Sequence, residues 1–287
     1  MDKQKNRIRK PEWLRIRLGN NDHFAALGRM VKIHSLHTIC ESGRCPNRGE
    51  CWNRKTATFM IAGDICTRSC KFCNTRSGKP LPLDADEPRK IAESIQCLGL
   101  THAVITSVNR DDLPDSGAGH WVETIREVKA LNPRITIEVL IPDFRGNQEH
   151  LDWVIQAQPD IISHNIETVE RLTPEVRNLA QYRTSLKILK QVSESGIPAK
   201  SGIMLGLGET SVETIQTMKD LLSSGCRLLS IGQYLQPSTK NIPVAAYIHP
   251  DEFESYKKIA LSLGFKQVES GPLVRSSYHS IDFLNSL

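Results

Sequence analysis

The chain has 287 residues, of which 37 are Lys or Arg and 32 are Asp or Glu, so its formal net charge is +5. A content of 39% hydrophobic and 24% charged residues is that of an ordinary globular protein, and it excludes intrinsic disorder and fibrous repeats. A chain of this length buries roughly three quarters of the surface that its unfolded form exposes. It therefore needs no disulfides to fold and is long enough for one α/β barrel.

Patterns along the chain argue against two further classes of protein. No apolar run reaches the roughly 18 residues of a membrane span, and the N-terminus lacks the apolar segment of a secretory signal. The basic excess is small, and no basic stripe with interleaved aromatic residues follows the N-terminus, as a nucleic-acid-binding protein would have. We therefore expect a soluble, cytoplasmic protein with no membrane or nucleic-acid partner.

In chain order, the first 18 residues are a basic segment without Ser, which indicates solvated surface rather than a transit peptide. From about residue 56, short apolar runs alternate with helical patterns, which is typical of βαβ units in a parallel sheet. The predicted strands are ATFMIAG from Ala57, HAVITSV ending at Val108, ITIEVLI ending at Ile141, DIISHNI ending at Ile166, PAKSGIMLG ending near Gly206 and RLLSIGQYL ending at Leu235. The predicted helices lie near residues 86–98, 116–131, 147–157, 184–195, 211–224 and 251–263.

Six strand-helix units with right-handed crossovers predict an α/β fold, a partial (β/α)6 TIM-like barrel with N-terminal and C-terminal extensions. We assign residues 1–55 to the N-terminal extension, 56–265 to the barrel and 266–287 to the C-terminal tail, all within one structural unit. In such barrels the chemistry lies at the carboxyl ends of the strands.

The eight cysteines are unevenly distributed. Two triplets lie close together, and Cys97 and Cys226 are isolated, so we expect these two to be small buried hydrophobic residues. In a reducing compartment, cysteines at tight spacings are metal ligands or catalytic thiols more often than disulfides. The triplets are Cys40, Cys45 and Cys51, then Cys66, Cys70 and Cys73.

The second triplet, CTRSCKFC, has the spacing CxxxCxxC directly after the first predicted strand. Three thiolates on one loop can hold three corners of an iron-sulfur cubane and leave one iron open to a small chelating molecule. A structural zinc site needs four ligands. A single zinc site built from both triplets remains the alternative.

This triplet, with Phe72 before its last cysteine, resembles the signature of the radical S-adenosylmethionine enzymes. The resemblance implies that Cys66, Cys70 and Cys73 hold a catalytic 4Fe-4S cluster whose open iron binds S-adenosylmethionine. Reductive cleavage of that cofactor would give a 5'-deoxyadenosyl radical that abstracts unactivated hydrogen.

Two further stretches, GIMLGLGE and GQYLQP, match glycine-rich patterns of the same enzymes at the fifth and sixth strands. The family's glycine-glycine-glutamate after the second strand is missing, and the stretch from Thr106 to Asn109 takes its place. By position, the resemblance implies that the S-adenosylmethionine contacts are Phe72, Thr106, Asn165, Glu167 and Met204.

The first triplet, CESGRCPNRGEC, narrows the resemblance together with KPEWL, NRDDLPDSGA and RSSYHS. With these motifs nearly the whole chain resembles the lipoyl synthase family. The resemblance implies an auxiliary 4Fe-4S cluster held by Cys40, Cys45, Cys51 and a serine of the RSSY motif, with Ser277 favoured over Ser276. Sulfides of that cluster would be inserted at carbons 6 and 8 of an octanoyl chain attached to a lysine of a carrier protein.

The resemblance also implies the partners. These are the octanoylated lipoyl-carrier domains of 2-oxoacid dehydrogenase complexes, the glycine-cleavage carrier protein, an electron donor such as ferredoxin or flavodoxin, and an iron-sulfur carrier for cluster repair. Two alternatives stay open at this point. One is another two-cluster radical enzyme that acts on a small molecule, and the other is a two-cluster electron carrier that would recruit Cys97 and Cys226 as ligands.

Overall fold

A computed structural model describes residues 9–15, 22–34, 36–53 and 56–278 of the chain. The basic N-terminal segment falls outside these ranges except for residues 9–15, and so do the last two residues of the RSSYHS motif.

The described residues contain ten strands, most of them in one large sheet. In chain order they are β1 (His37–Thr38), β2 (Thr58–Ile61), β3 (Ile65–Cys66), β4 (Arg76–Ser77), β5 (His102–Ser107), β6 (Thr136–Leu140), β7 (Ile161–Ser163), β8 (Ala199–Leu205), β9 (Leu228–Gln233) and β10 (Gln267–Gly271). The helices are α1 (Asp22–Ile33), α2 (Ile39–Ser42), α3 (Arg48–Asn53), α4 (Glu87–Leu98), α5 (Ala118–Leu131), α6 (Gln148–Gln156), α7 (Thr173–Arg177), α8 (Tyr182–Glu194), α9 (Ser211–Ser223) and α10 (Pro250–Leu263).

The large sheet has the order β1-β2-β5-β6-β7-β8-β9-β10, and every pairing in it is parallel except that of β1 with β2. Each of the six predicted strands is present, and one of the six predicted helices follows each of them. The end strands β1 and β10 do not pair with each other, so the barrel is incomplete. The predicted partial barrel of six strand-helix units is confirmed.

Both edge strands come from segments that the sequence analysis assigned to the extensions. β1 pairs with Met60 and Phe59 of β2, whereas β10 runs parallel to β9 over five residue pairs from Gln267 to Gly271. The sheet therefore continues beyond residues 56–265 in both directions. Neither edge strand was predicted, because β1 has two residues and β10 has a polar sequence, QVESG.

The sequence explains why the strands and helices form where they do. The barrel strands are buried on both faces, as in β2 (TFMI) and β5 (HAVITS), because helices cover the outside and side chains fill the interior. α4 ends at Gly99, which adopts the left-handed conformation that glycine tolerates best. α9 begins with a capping box in which Thr210 and Glu213 bond each other's backbone N–H groups.

One ion pair lies inside the barrel, below the carboxyl ends of its strands. The Lys200 Nζ atom is 3.0 Å from both carboxylate oxygens of Glu138, and both side chains are buried. The Ser163 hydroxyl donates to the same carboxylate at 2.7 Å. Lys200 therefore belongs to the packed interior of the barrel rather than to its mouth or its surface.

Candidate active site

A cavity of about 530 Å³ lies at the carboxyl ends of the barrel strands, where the sequence analysis expected the chemistry. Residues at or just after the ends of β2, β5, β6, β7, β8 and β9 line it. The C-terminal tail also contributes, through Val274, Arg275 and Ser276.

All three thiols of the CxxxCxxC motif line this cavity. Cys66 is the last residue of β3, and Cys70 and Cys73 lie in the loop that follows. The Cys66 sulfur accepts the backbone N–H groups of Arg68 at 3.4 Å and Asn109 at 3.3 Å. The Cys66 sulfur thus accepts from two backbone donors, an arrangement that favours its thiolate form.

The three thiols are close enough to influence one another's ionisation. Burial raises the pKa of Cys70, the Arg177 guanidinium acts against this rise, the charges of Cys73 and Cys66 add to it, and the resulting pKa is about 12. Burial likewise raises the pKa of Cys73. Buried thiols that repel one another as anions need a strongly cationic group to hold them ionised, and the iron atoms of a cluster supply it. The donor set therefore fits an iron-sulfur cluster.

The structure brings all five predicted S-adenosylmethionine contacts to the same cavity. Phe72, Thr106, Asn165, Glu167 and Met204 line it together with the three cysteines. These residues come from the loop of residues 66–73 that carries the three cysteines, which we call the cluster loop, and from the end of β5, the segment after β7 and the end of β8. Their individual roles toward the cofactor stay predictions.

Asn165 and Glu167 are held by an irregular stretch after β7. Glu167 has a φ of 69°, and its backbone is fastened to β8, because its N–H donates to Gly202 and its carbonyl accepts from Met204. A Cβ atom on Gly202 would lie 2.8 Å from Oδ1 of Asn165, so glycine is needed there for the asparagine to keep its place. Burial raises the pKa of Glu167, whereas Arg177 and Asn165 act against the rise.

Three buried polar atoms in the cavity wall have no hydrogen-bond partner among the described parts of the chain. They are Oγ of Ser107, Oδ1 of Asn165 and Oγ of Ser230. An unpaired buried polar atom costs about 1–3 kcal/mol. A cofactor with amino, carboxylate and ribose groups could supply such partners, so the cavity wall fits S-adenosylmethionine.

A buried charge network lies beside the cluster loop, and the sequence analysis did not identify it. The Arg68 guanidinium bonds Asp111 at 2.7 and 2.8 Å and Asp143 at 2.7 and 2.6 Å. Both carboxylates are on loops that follow barrel strands, β5 and β6 respectively. Arg68 lies between two of the cluster cysteines, so the network ties their loop to the barrel. The NRDD segment that resembles the family contains one of the two acids.

A second network holds His164 in the wall of the cavity. Its Nδ1 is 2.9 Å from the carbonyl oxygen of Ile141 and its Nε2 is 2.9 Å from the Ser185 hydroxyl, which also accepts from Arg177 at 2.9 Å. Burial and then Arg177 lower the pKa of His164, Asp143 acts against both, and the resulting pKa is about 4. The imidazole is therefore neutral near pH 7.

The first triplet lies next to this cavity, on the N-terminal extension. Cys40 is on α2, Cys45 follows it in a loop and Cys51 is on α3. Burial and then the charge of Cys45 raise the pKa of Cys40, hydrogen bonds from Thr58 and Trp52 act against the rise, and the resulting pKa is about 11. The Arg275 guanidinium lies near Cys45. Burial lowers the pKa of Arg275, and the negative charge of the Cys45 thiolate acts against this lowering.

The C-terminal tail folds back over this triplet. Asn47 donates to the carbonyl of Leu273 at 2.7 Å, and the Tyr278 hydroxyl is 3.0 Å from the Glu50 carboxylate. The Thr58 hydroxyl donates to Oγ of Ser277 at 2.9 Å.

The two candidate serines therefore differ in their surroundings. Thr58 reaches both Ser277, through its hydroxyl, and Cys40, through its backbone N–H. Ser276 instead faces the cavity. The choice of Ser277 as a ligand stays a prediction.

The two isolated cysteines lie at the other end of the sheet. Cys226 is buried just before β9, as expected, but Cys97 is exposed, so the prediction that it is buried was wrong. Cys97 is in the last turn of α4, whose outward face is solvated. In a parallel sheet, both positions lie at the amino ends of the strands, away from the triplets.

A site for a single metal ion is not seen in the described residues. No group of three or more His, Cys, Asp or Glu side chains in ranges 9–15, 22–34, 36–53 and 56–278 could hold one. The ligands of a cubane bind different iron atoms and need not converge on one point, unlike the four ligands of zinc.

Among the helices of the described ranges, none has the length and apolar character of a membrane span.

Comparisons with known proteins agree with this fold and site. The model of the radical SAM superfamily matches residues 60–221. Methylornithine synthase has a similar structure, with a TM-score of 0.57 over 87% of this chain and 76% of that one, at 12% sequence identity. At this identity the likeness shows the fold alone. The protein is thus a member of the radical S-adenosylmethionine superfamily, which implies an iron-sulfur cluster and S-adenosylmethionine as cofactors.

Relatives over nearly the full length define the family further. Lipoyl synthase of Bacteroides fragilis (strain YCH46) is 64% identical over 274 residues, which cover 96% of this chain and 95% of that protein. Lipoyl synthase of Treponema denticola is 57% identical over 272 residues, 95% of this chain and 94% of that protein. The chain belongs to the lipoyl synthase family of sulfur-inserting radical enzymes.

Proposed function

We propose that this protein inserts sulfur at carbons 6 and 8 of an octanoyl chain that is already attached to a lysine of a carrier protein. One observation carries the proposal. The three cysteines of the CxxxCxxC motif line a cavity, and the tail that closes over the other triplet lines the same cavity through Arg275 and Ser276. The proposed site of hydrogen abstraction and the tail beside the proposed sulfur donor thus line one cavity.

Cys66, Cys70 and Cys73 would hold the catalytic cluster. When bound, the cluster and S-adenosylmethionine supply a 5'-deoxyadenosyl radical that abstracts hydrogen from the octanoyl chain. Asn165 and Glu167 would orient the polar groups of the cofactor, since both line the cavity and the backbone of Glu167 is fixed to β8.

Nonpolar residues would exclude water from the reacting carbon atoms. Met60, Val108, Ile203 and Tyr234 are among the buried residues that line the cavity.

The auxiliary 4Fe-4S cluster would be the sulfur-donating substrate, held by Cys40, Cys45, Cys51 and Ser277. An alkoxide is a harder ligand than a thiolate and suits a sulfide-rich cluster less well, so the iron it binds is the easiest to release. The hydrogen bond that Thr58 donates to Oγ of Ser277 would lower the electron density on this oxygen and so would weaken its bond to iron further. The site would therefore favour dismantling of the cluster during turnover.

The proposed substrates are octanoylated lipoyl-carrier domains, with an electron-donor protein and an iron-sulfur carrier as further partners. Two sites built from reduced cysteine thiols suit a reducing compartment, and we place the reaction in the cytoplasm. The basic sequence pI of about 8.7 favours encounter with acidic carrier domains.

The test uses protein purified without oxygen and reconstituted with iron and sulfide. It is incubated with S-adenosylmethionine, dithionite and an octanoyl-lysine peptide, and the peptide is then weighed by mass spectrometry. We expect a gain of two sulfur atoms together with release of 5'-deoxyadenosine. Deoxyadenosine without sulfur gain would overturn the substrate, and its absence from an iron-loaded sample would overturn the radical chemistry.

A double variant tests the electron-carrier alternative. Replacing Cys97 and Cys226 together by Ala should leave all the bound iron in place, because both lie at the far end of the sheet. Loss of about half the iron would instead favour the carrier, in which each of two clusters needs a fourth cysteine.

A further inference from the structure

The loop that carries the catalytic cysteines has two faces with different properties. Cys66, Cys70, Phe72 and Cys73 line the cavity. The intervening residues Ser69 and Lys71 do not line it, and both are exposed. One short loop thus presents cluster ligands to the interior and polar side chains to the solvent.

The outer side of this loop is fixed by two other segments. The Lys71 N–H donates to the carbonyl of Val176 at 2.9 Å, and the Lys71 carbonyl accepts from Ile242 at 3.0 Å. Asn178 donates to the Ser69 hydroxyl at 3.0 Å. A bond at 2.8 Å from Asn241 to the Cys73 carbonyl holds the end of the loop. These contacts pre-form a surface directly outside the ligands.

We define the cluster-loop face as Ser69, Lys71, Asn178, Leu179 and Lys240. Leu179 is one of the exposed large apolar residues of the chain, with 64% of its surface accessible. Within the described ranges neither lysine of the face forms an ion pair, whereas many other exposed cations do. The face combines an exposed apolar side chain with two unpaired cations, a composition that suits an acidic protein partner.

We propose that the cluster-loop face is the docking site for a small acidic electron-transfer protein that reduces the catalytic cluster. This inference rests on the proposed function, in which the cluster must gain one electron before each cleavage. The donor loses one electron, the cluster gains it, and no bond or proton of the protein changes. Electron transfer falls steeply with distance, and Lys71 is covalently attached to the ligand Cys70.

The position of the face distinguishes the electron donor from the octanoylated carrier. The carrier must extend its lysine arm into the cavity, but neither Lys71 nor Lys240 lines the cavity. The electron donor needs only to approach the ligands from outside. Redox partners form small, weak interfaces that dissociate after each transfer, and a few charges around one apolar contact suffice for them.

The experiment measures oxidation of flavodoxin hydroquinone by the reconstituted enzyme in an anaerobic stopped-flow instrument at low salt. Lys71→Glu combined with Lys240→Glu should lower the second-order rate constant about tenfold and flatten its salt dependence. Glu175→Lys, on the exposed surface of the adjacent α7, should raise the rate constant. The matched control, Lys187→Glu with Lys219→Glu on outer helices, has the same change in net charge and should have a much smaller effect.

Dithionite separates failure of this inference from failure of the proposed function. With dithionite and the octanoyl-lysine peptide, the Lys71/Lys240 variant should form deoxyadenosine and product at the rate of the unaltered enzyme. Equal slowing in the control variant, or no slowing in either, would overturn the docking site. If the Lys71/Lys240 variant with dithionite reacts normally with the peptide but slowly with an intact octanoylated carrier domain, the face binds the carrier and not the electron donor. Failure of the unaltered enzyme with dithionite would overturn the proposed function, whatever the flavodoxin rate.

Discussion

Replacing Arg68 by Met should destabilise the fold strongly, although the position is outside the hydrophobic core. The guanidinium neutralises two carboxylates, and the side chains of Arg68, Asp143 and Asp111 are 6%, 4% and 21% exposed. Methionine keeps the length and packing of the aliphatic stem but leaves the two acids facing each other. Breaking a buried ion pair by removing one partner costs about 3–5 kcal/mol.

The magnitude can be measured as a shift in urea unfolding of the metal-free, reduced protein. With a slope of roughly 3 kcal/mol per molar urea for a chain of this size, a loss of about 4 kcal/mol lowers the midpoint by about 1.3 M. The unaltered protein and the variant are compared by circular dichroism, and an unchanged slope shows that stability alone has changed.

A triple variant tests the electrostatic origin of this loss. Arg68→Met with Asp111→Asn and Asp143→Asn removes all three charges together, so about half or more of the lost stability should return. If the single and triple variants lose the same stability, or if Arg68→Met shifts the midpoint by less than about 0.3 M, the network does not stabilise the loop as argued here.

Three further results are expected. Ser277→Ala should abolish sulfur insertion into the octanoyl-lysine peptide while deoxyadenosine formation continues, and Ser276→Ala, its matched control, should keep both. Gly202→Ala should weaken S-adenosylmethionine binding about tenfold by calorimetry, because its Cβ would displace Asn165 and cost about one hydrogen bond. Because burial lowers the pKa of His164 to about 4, its neutral form should stabilise the protein by about 3 kcal/mol above pH 6.5. That stability should be lost as the pH falls from about 6.5 to about 4, and His164→Gln should reduce the slope of unfolding free energy against pH in this window.

The order of strands and helices was predictable because each element has its own local pattern. Short apolar runs bounded by turn residues located the six barrel strands, and helical periodicity located the helices between them. The two edge strands had no such pattern. β10 can be polar because four of its five residues, at the edge of the sheet, are only partly buried. It forms a strand because its backbone pairs with the N–H and C=O groups along the outer edge of β9.

The sequence by itself determined both cysteine triplets, because each triplet lies within one short segment of the chain and its spacing is a local property. Only the tertiary structure decided which distant residues join them. Arg68 meets Asp143, 75 positions away, and Thr58 meets Ser277, 219 positions away. The exposure of Cys97 was likewise decided by the packing of α4 against its neighbours. Such contacts depend on how the strands bring their ends together, and no local pattern in the chain encodes them.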